Sequence, residues 1–318
     1  MEKTPKLILA PMAGVTDSAF RTLSLRWGAD EVVSEMISSK AVVFGDKKTF
    51  SLARFNECER PYRIQIFGSE PEIMAESIKI LNERFSPDGF DINMGCPVGK
   101  IVKNGEGSAL MKKPSLVEKI VSMCVRAEAG VPVSVKIRAG FDEGHKNAVE
   151  IAKICESAGA DRVAVHGRTR EQMYKPSVDL DIIARVREAL TIPVIANGDI
   201  VDFESAKRTV DVTGCDMLMI GRGALGRVWL FSEIKNGFCP IPDFEIPTGE
   251  KLIELIEEHM RLAICDKGEA RAVRECRVPV SAYIRSMRGA AQGRCRINSA
   301  ETFDDVRKIL HELLLENS

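Results

Sequence analysis

One of the nine cysteines lies in a sequence motif that suggests a chemical role. Cys96 lies in the run Asn93-Met94-Gly95-Cys96-Pro97, a Gly-Cys-Pro turn that follows a short apolar segment. A free thiol has a pKa near about 8.5, so at neutral pH it can act as a general acid towards a carbon that a hydride has made nucleophilic. The alternative, a covalent nucleophile, would need a nearby base, for which His166 is the candidate. We favour the acid role.

Further polar side chains follow short apolar, β-branched runs along the chain. The residues concerned are Glu35, Gln65, Asn93, Lys136, His166, Asn197, Asp199 and Arg222. At any single position, a capped strand end or a buried pair would explain a polar residue. Because buried charges need partners, polar groups at the ends of nearly all the strands predict that the set converges on one pocket.

Two of these segments are typical of phosphate binding. Asn197-Gly198-Asp199 and Gly221-Arg222-Gly223 place glycines where backbone N–H groups can approach a phosphate, with an arginine beside them. The run 221–226 also matches GxGxxG, but a dinucleotide fold needs an acidic residue ending a second strand about 20 residues later. The chain there is Pro-rich and holds Asp243, so we reject that fold.

Lys136 stands alone in the apolar run VSVKIR. If Lys136 has only a structural role, it is a lysine that is paired with another group or that snorkels to solvent. Near a flavin it would place positive charge beside the N1/O2 edge of the ring. Gln65 and His166 could bond the remaining polar edge and the phosphate side. Together with the phosphate loops, these residues predict an FMN pocket.

The elements that must position these residues alternate along the chain. Eight β-branched runs are predicted as strands: 7–12, 31–36, 62–67, 90–95, 133–138, 162–167, 193–198 and 217–222. Amphipathic segments such as 71–85 and 114–128 lie between them, which is typical of a parallel sheet with crossover helices. The repeat Gly-Ala-Asp or Gly-Cys-Asp at 28–30, 159–161 and 214–216 marks helix ends that turn back into the next strand. The pattern predicts a TIM (β/α)₈ barrel, with its chemistry at the carboxyl ends of the strands.

A Pro- and Gly-rich segment, 236–249, divides the chain. No strand pattern follows it, and three stretches have helical patterns: 250–268, a region near 270–290, and 302–317. We therefore predict two domains, a catalytic barrel over 1–240 that binds FMN and a small helical domain over 245–318.

Composition limits the class of protein. The 318 residues are 45% hydrophobic and 29% charged with a net charge of −1, so the molecule as a whole has no general attraction for nucleic acid or an anionic membrane. No apolar stretch approaches the roughly 18 residues of a membrane span, and the N-terminus does not read as a signal peptide. Nine cysteines without a CxxC pair argue against a zinc site and a disulfide framework, and favour a reducing cytoplasm. We expect a cytoplasmic monomer without a metal.

At the level of whole motifs, the sequence resembles the tRNA-dihydrouridine synthases. The resemblance covers the whole barrel, and the loop after the fourth predicted strand is its most specific part. It is carried by LAPMAGVTDSAFR (9–21), YRIQIFG (62–68), FDINMGCPVGKIVKNGEGSALM (90–111), VSVKIRAGFD (133–142), VAVHGRTREQMY (163–174), IPVIANGDI (192–200) and MIGRGALG (219–226), with GAAQGRCRIN (289–298) in the tail.

The resemblance implies a reaction and a role for each matching position. Cys96 would donate a proton to C5 of a tRNA uridine while N5 of the reduced flavin delivers hydride to C6, and NADPH would reduce the flavin again. Asn93 would help hold the uracil ring, and Arg168 would bond the ring or the neighbouring backbone. FMN contacts are implied at Pro11, Met12, Ala13, Gln65, Lys136, His166, Asn197, Gly198, Asp199, Gly221 and Arg222.

The helical tail supplies the positive charge that an RNA substrate needs. Between Arg271 and Arg296 the sequence has seven arginines and one acid, Glu275, a local charge of +6. A solvated, salt-bridged helix face is the plain alternative, but contacts of Lys and Arg with phosphates dominate RNA affinity. We predict a tRNA-binding face that includes Arg274, Arg277 and Arg288, extended by lysines of the loop after Cys96.

Two other functions are compatible with such a barrel. A dihydroorotate dehydrogenase would also use FMN on a pyrimidine, but it would need no arginine-rich tail. An RNA-binding protein that keeps a flavin for structure would have no turnover. The residues Asn93, Cys96 and Lys136 speak against the second alternative without excluding it.

Overall fold

The computed structural model describes residues 4–127 and 130–317. Strands within this part form one parallel sheet that closes on itself. In chain order they are β1 (Lys6–Leu9), β2 (Glu31–Val33), β3 (Ile37–Ser38), β4 (Tyr62–Phe67), β5 (Gly89–Asn93), β6 (Val133–Gly140), β7 (Val163–Thr169), β8 (Val194–Asn197) and β9 (Met217–Ile220). Strand β1 pairs with β2 on one side and with β9 on the other, and β2 pairs with β4. The predicted (β/α)₈ barrel is confirmed.

Helices surround the barrel and form the tail. They are α1 (Ser18–Arg26), α2 (Ser39–Val43), α3 (Lys47–Ala53), α4 (Pro71–Phe85), α5 (Gly99–Lys103), α6 (Pro114–Ala127), α7 (Ala148–Ser157), α8 (Leu180–Ala189), α9 (Phe203–Thr213), α10 (Leu230–Phe238), α11 (Gly249–Lys267), α12 (Glu269–Glu275), α13 (Arg277–Tyr283), α14 (Ala290–Ser299) and α15 (Phe303–Asn317). The two helices for which the sequence predicted bounds, 71–85 and 114–128, are present as α4 and α6. Glu128, the last residue of the second, lies outside the described residues, as do residues 1–3 and Ser318 of the predicted domains.

The second strand departs from the prediction of a single run over 31–36. It is split into β2 and β3, because the Ser34 hydroxyl accepts the backbone N–H of Gln65 at 2.8 Å in place of a ladder carbonyl. The first strand is also shorter than predicted. Its last ladder bond runs from Ala10 N to Ile220 O at 2.8 Å, and Pro11 has no N–H with which to continue.

The alternation of side chains along the strands separates two apolar regions. Leu7 and Leu9 belong to the large core between the sheet and the surrounding helices, whereas Ile8 and Ala10 face the barrel interior. A small cluster fills that interior: Ile8, Ala10, Val33, Ala164, Ile195 and Met219. His166 and Asn197 follow Ala164 and Ile195 by two residues and continue the same inward-facing register, so they cap this interior at the carboxyl ends of the strands.

The tail packs directly on the barrel. Helix α11 lies against α1, where the Lys267 ammonium forms an ion pair with Asp17, the N-cap of α1. The rings of Phe20 and His259 meet at 5.7 Å between centroids. Between the barrel and α11, the segment after α10 is extended, and α10 itself continues to Phe238 within the predicted linker. The two predicted domains thus share a continuous interface.

Candidate active site

A cavity of about 850 Å³ opens at the carboxyl ends of the barrel strands. Cys96, Asn93 and all eleven residues predicted to hold the cofactor line it. Arg168, Arg274, Arg277 and Arg288 lie outside its lining. The strands bring these side chains together by register, since Asn93 on β5 lies opposite Lys136 on β6, and His166 on β7 lies opposite Asn197 on β8.

A chain of hydrogen bonds holds the amide side chains at one side of the cavity. Asn93 Nδ2 donates to Gln65 Oε1 at 2.7 Å, and Gln65 Nε2 donates to Asp91 Oδ2 at 2.7 Å. Ser134 Oγ donates to the other oxygen of Asp91 at 2.6 Å. The order of donors leaves each amide in one orientation, so the cavity presents fixed rather than rotating polar groups.

Asn93 also fixes the turn that carries the cysteine. Its Oδ1 accepts the backbone N–H of Gly95 at 3.2 Å and that of Cys96 at 2.9 Å. From the opposite side, Arg138 Nε donates to Gly95 O at 2.7 Å. Ser108 Oγ donates to Cys96 O at 2.9 Å, which ties the start of the loop after β5 to its end. The thiol is therefore held on a turn that is bonded on three sides.

Burial raises the pKa of the Cys96 thiol, an effect that its hydrogen bond with Val98 and the charge of Arg138 reduce. The thiol therefore remains protonated at neutral pH, as a proton donor requires. The pKa of His166 is lowered far below its ordinary value, first by burial and then by the cations of Lys136, Arg138, Arg168 and Arg222. A neutral imidazole that resists protonation is a poor base for a thiol, which disfavours the covalent alternative.

Lys136 brings a cation into the apolar end of the cavity. Its Nζ donates to Asn197 Oδ1 at 2.9 Å, and Asn197 Nδ2 donates to Met219 O at 2.7 Å. Burial, and then the like charge of Arg138, lower the pKa of Lys136 to about 8. The charge of Asp91 offsets part of the burial, but within the described part of the chain no carboxylate lies at ion-pairing distance from Lys136. A buried cation of this kind is typical of a group retained for a ligand.

The two predicted phosphate loops meet at the other end of the cavity. Gly198 has φ of 132° and Asp199 has φ of 50°, both in the left-handed half of the map. The loops pack so closely that a Cβ on Gly223 would lie 2.1 Å from Ile200 O. The side chain of Arg222 is exposed above them, with its guanidinium 4.3 Å from the centre of the Tyr174 ring.

Arg168 occupies a different place from the one its implied role requires. It is 2% exposed, its Nη2 lies 2.5 Å from Asp199 Oδ2, and its Nε donates to Pro176 O at 2.7 Å. The pair offsets the charge of the Asp199 carboxylate. Arg168 therefore positions the loop at 197–199 and lies outside the lining of the cavity.

The arginines of the tail divide into paired and unpaired groups. Arg271 binds Glu275 at 2.7 Å, Arg296 binds Glu312 at 2.6 Å, and Arg277 donates to Ala300 O at 2.9 Å. Among the described residues, no carboxylate lies within ion-pairing distance of Arg274, Arg285, Arg288 or Arg294. The interpretation as a salt-bridged helix face thus holds for some of the seven tail arginines. Fewer arginines are available for a cationic face than the count of seven in the sequence suggests.

Among the cavity residues with polar or charged side chains, three were not predicted as site residues from the sequence. Arg138 and Tyr174 line it, and Arg285 reaches it from the tail. Arg138 could have been found, because it follows Lys136 by two residues and so shares its face of the strand. Arg285 gave no such signal, since its position depends on how the tail packs against the barrel.

Two further properties concern ions and membranes. In the described ranges, no three His, Cys, Asp or Glu side chains are grouped so that they could hold a metal ion. No helix built from those residues has the length and apolar character needed to cross a bilayer.

Comparison with known proteins gives a consistent result. The family model for dihydrouridine synthase (Dus) matches residues 8–317. The tRNA-dihydrouridine synthase B of Shewanella oneidensis is 42% identical, over 93% of this chain and 91% of that protein. That of Pseudomonas putida is 40% identical, over 93% of this chain and 87% of that protein. Among solved structures, histamine dehydrogenase from Rhizobium sp. 4-9 is similar at a TM-score of 0.59 and 11% sequence identity. The match covers 100% of this chain and 64% of that chain, and it shows that the two share a fold.

Proposed function

This chain belongs to the dihydrouridine synthase family, and from that premise we propose that it reduces the C5–C6 double bond of specific uridines in tRNA, with FMN as its cofactor. The observation that carries the proposal is the convergence on one cavity of a protonated thiol, a buried cation and two glycine-rich loops. Each of these groups has a plain structural explanation alone. Their arrangement in one cavity matches the needs of a flavin-dependent reduction.

The residues present fit FMN in three respects. The loops at 197–199 and 221–223 suit a phosphate, because their glycines leave backbone N–H groups open to a ligand and the exposed Arg222 adds positive charge beside them. The side chains of Met12, Met36 and Met219 give the cavity an apolar wall against which a planar ring can pack. Gln65 and Lys136 supply a hydrogen-bonding amide and a positive charge for the polar edge of that ring.

The proposed chemistry divides between the cofactor and the protein. When bound, the flavin supplies the hydride that reaches C6 of the uracil ring. Cys96 supplies the proton for C5, and solvent at the cavity mouth returns a proton to the sulfur, so the product gains two hydrogen atoms. Asn93 orients the Cys96 turn through the two N–H groups that it accepts. The reductant in this proposal is NADPH.

The cationic tail is what favours an RNA substrate over a small pyrimidine. Unpaired arginines stand on its surface, and Arg285 extends from it to the cavity. A uridine in a folded tRNA would have to swing out of its stack to enter the barrel. We assign the barrel, 1–240, to catalysis and the helical domain, 245–318, to tRNA binding.

Mass analysis of the RNA tests the reaction. The purified protein is incubated with NADPH and unmodified tRNA transcripts, and we expect one uridine to gain the mass of two hydrogen atoms. Cys96→Ala should lower turnover by about 10²–10⁴-fold, since a positioned acid contributes that much, while leaving flavin absorbance intact. Cys295→Ala, an exposed cysteine of α14, is the matched control and should keep full activity.

Two outcomes would contradict the proposal. Reduction of orotate-like pyrimidines without any change in tRNA would identify a small-molecule reductase. Tight binding of tRNA by a flavin-containing protein that never oxidises NADPH would identify an RNA-binding protein without turnover.

A further inference from the structure

A second cavity lies beside the candidate active site, on the seam between barrel and tail. It measures about 730 Å³, within the range of about 300–1,000 Å³ for ligand pockets. Four segments form it: 225–229 after β9, 246–252 leading into the first turn of α11, 282–287 from the end of α13 onward, and the end of α15. The seam below it is tight, because a Cβ on Gly226 would lie 2.4 Å from the backbone carbonyl carbon of Ala282. We call this cavity the seam groove.

The walls of the seam groove suit a flat, largely apolar ring. Leu225, Leu252 and Leu314 contribute aliphatic surface, and Trp229 and Tyr283 contribute two aromatic rings whose centres are 6.1 Å apart. Trp229 is 6% exposed, and its buried indole Nε1–H has no acceptor among the described residues. Aromatic rings with an unused donor are typical of sites that receive a nucleobase.

The charge beside the seam groove favours an anionic ligand. Arg285 is exposed, and within the described part of the chain it has no carboxylate at ion-pairing distance. Arg227, the other cation of the groove, is already paired with Glu233 at 2.9 Å and donates to Val201 O at 2.9 Å. Arg285 therefore supplies the free positive charge.

Arg285 also connects the seam groove with the active-site cavity. It lines both cavities, and Leu225 does the same from the barrel side. The two cavities are therefore neighbours that share these two side chains. A ligand with an anionic group between two rings suits this arrangement, and two nucleotides joined by a phosphodiester have that chemistry.

We propose that the seam groove is a second nucleotide subsite, which holds an unstacked base of the RNA next to the uridine in the active-site cavity. The phosphodiester between the two nucleotides lies at Arg285. This inference rests on the proposed function and adds to it a physical basis for choosing among uridines. A tRNA position is accepted where both the uridine and its neighbour can leave the stack.

A pair of exposed isoleucines of the linker provides the test. Ile246 is 46% exposed and lines the seam groove, whereas Ile241 is 38% exposed and lies outside its lining. Ile246→Glu places a negative charge where the nucleotide would sit, and we expect it to weaken tRNA binding about five- to tenfold, the effect of losing one stacked base. Ile241→Glu adds the same charge to the same linker and should bind like the wild type. Both variants should retain flavin.

Fluorescence of Trp229 gives a second measurement. The chain has two tryptophans, so Trp27→Phe leaves Trp229 as the sole indole fluorophore. We expect its emission to change when unmodified tRNA is added and to stay constant with uridine monophosphate alone, which fills the active-site cavity.

The possible outcomes separate the subsite from the reaction. Equal tRNA affinity of Ile246→Glu and Ile241→Glu overturns the subsite, even where dihydrouridine is formed. An emission of Trp229 that stays unchanged when tRNA is added also overturns it, since no base would then enter the groove. Weaker RNA binding by Ile246→Glu in a protein that reduces no uridine supports the subsite and rejects the reaction.

Discussion

At the scale of single residues, the active-site cavity combines groups whose pKa values are shifted from their ordinary values. Cys96 keeps its proton, His166 stays neutral, and Lys136 bears a charge that burial opposes. These shifts share one physical cause, the low polarity of the barrel interior below the cavity. They make the site ready for an anionic ligand, and they also make the empty site costly to maintain.

Lys136 makes that cost measurable. Its pKa is lowered to about 8, whereas an unfolded lysine titrates near about 10.4. Between these values the unfolded chain binds more protons than the folded chain, so stability rises with pH there; below the lower value the whole cost of the buried charge is present. Lys136→Met should therefore raise the melting temperature of the flavin-free protein by a few degrees at pH 7, with a smaller gain near pH 10.

Thermal unfolding of flavin-free wild type and variant at the two pH values checks this prediction. Lys47→Met, on an exposed lysine at the start of α3, is the control and should show no such pH-dependent gain. The same Lys136→Met protein should lose flavin affinity and turnover. A melting temperature at pH 7 equal to or below that of the wild type would show that the buried charge is not a burden.

At the scale of elements, the loop from β1 to α1 carries three residues predicted to contact the flavin. Its shape is fixed at both ends: Thr16 Oγ1 accepts the N–H of Met12 at 2.9 Å, and Asp17 caps α1 by accepting the N–H of Phe20 at 2.9 Å. In the middle, Glu35 Oε2 accepts the N–H of Gly14 at 2.7 Å, and burial raises the pKa of this carboxyl. Glu35, whose role the sequence left open, thus holds the loop from the second strand.

We predict that Glu35→Ala weakens flavin binding about tenfold, because the free Gly14 N–H releases the loop and a charged hydrogen bond contributes about that much. Glu35→Gln retains an oxygen acceptor and should restore most of the affinity. Titration of flavin-free protein with FMN measures both variants. Equal loss in Ala and Gln would show that the charge of Glu35 acts on the ring directly.

At the scale of the whole molecule, neutrality overall coexists with a local cationic surface. Two arginines of the tail bind acids of α12 and α15, whereas Arg274, Arg285, Arg288 and Arg294 have no ion pair among the described residues. The tail is anchored to the barrel through Lys267 and Asp17, which lie far apart in the chain, so the surface has a fixed orientation relative to the cavity. In the proposed function, that orientation would determine which part of a bound tRNA reaches the barrel.

Charge reversal of Arg274 and Arg288 tests this surface. The double variant Arg274→Glu, Arg288→Glu should weaken tRNA binding and reduce the salt slope of log K by about 2, one for each lost phosphate contact. Arg277 is left unchanged because its guanidinium supports the backbone at Ala300. The double variant Arg185→Glu, Arg208→Glu, on the exposed sides of α8 and α9, changes the net charge by the same amount and is the control. An unaltered salt slope in the double variant would place the RNA face elsewhere.

The sequence by itself determined the barrel and most of the cavity. Side-chain alternation along a strand is local, and the carboxyl ends of parallel strands share one edge, so Gln65, Lys136, His166 and Asn197 could be assigned to one site before any contact was known. The family motifs added Pro11, Met12 and Ala13 and implied roles for Asn93 and Cys96 towards the uracil ring. The glycines of the three repeated turns were assigned in the same way, because a left-handed residue that ends a helix is a local requirement; Gly28 and Gly159 have φ of 95° and 97°.

Only the tertiary structure decided the matters that depend on residues distant in the chain. It split the second strand at Ser34, turned Arg168 onto Asp199, paired Arg271 and Arg296 with acids, and placed Arg285 at the edge of both cavities. A charged side chain takes whichever partner the packing brings within reach, and no local pattern records which one that is. The elements follow from spacing along the chain, whereas the partners follow from how those elements pack.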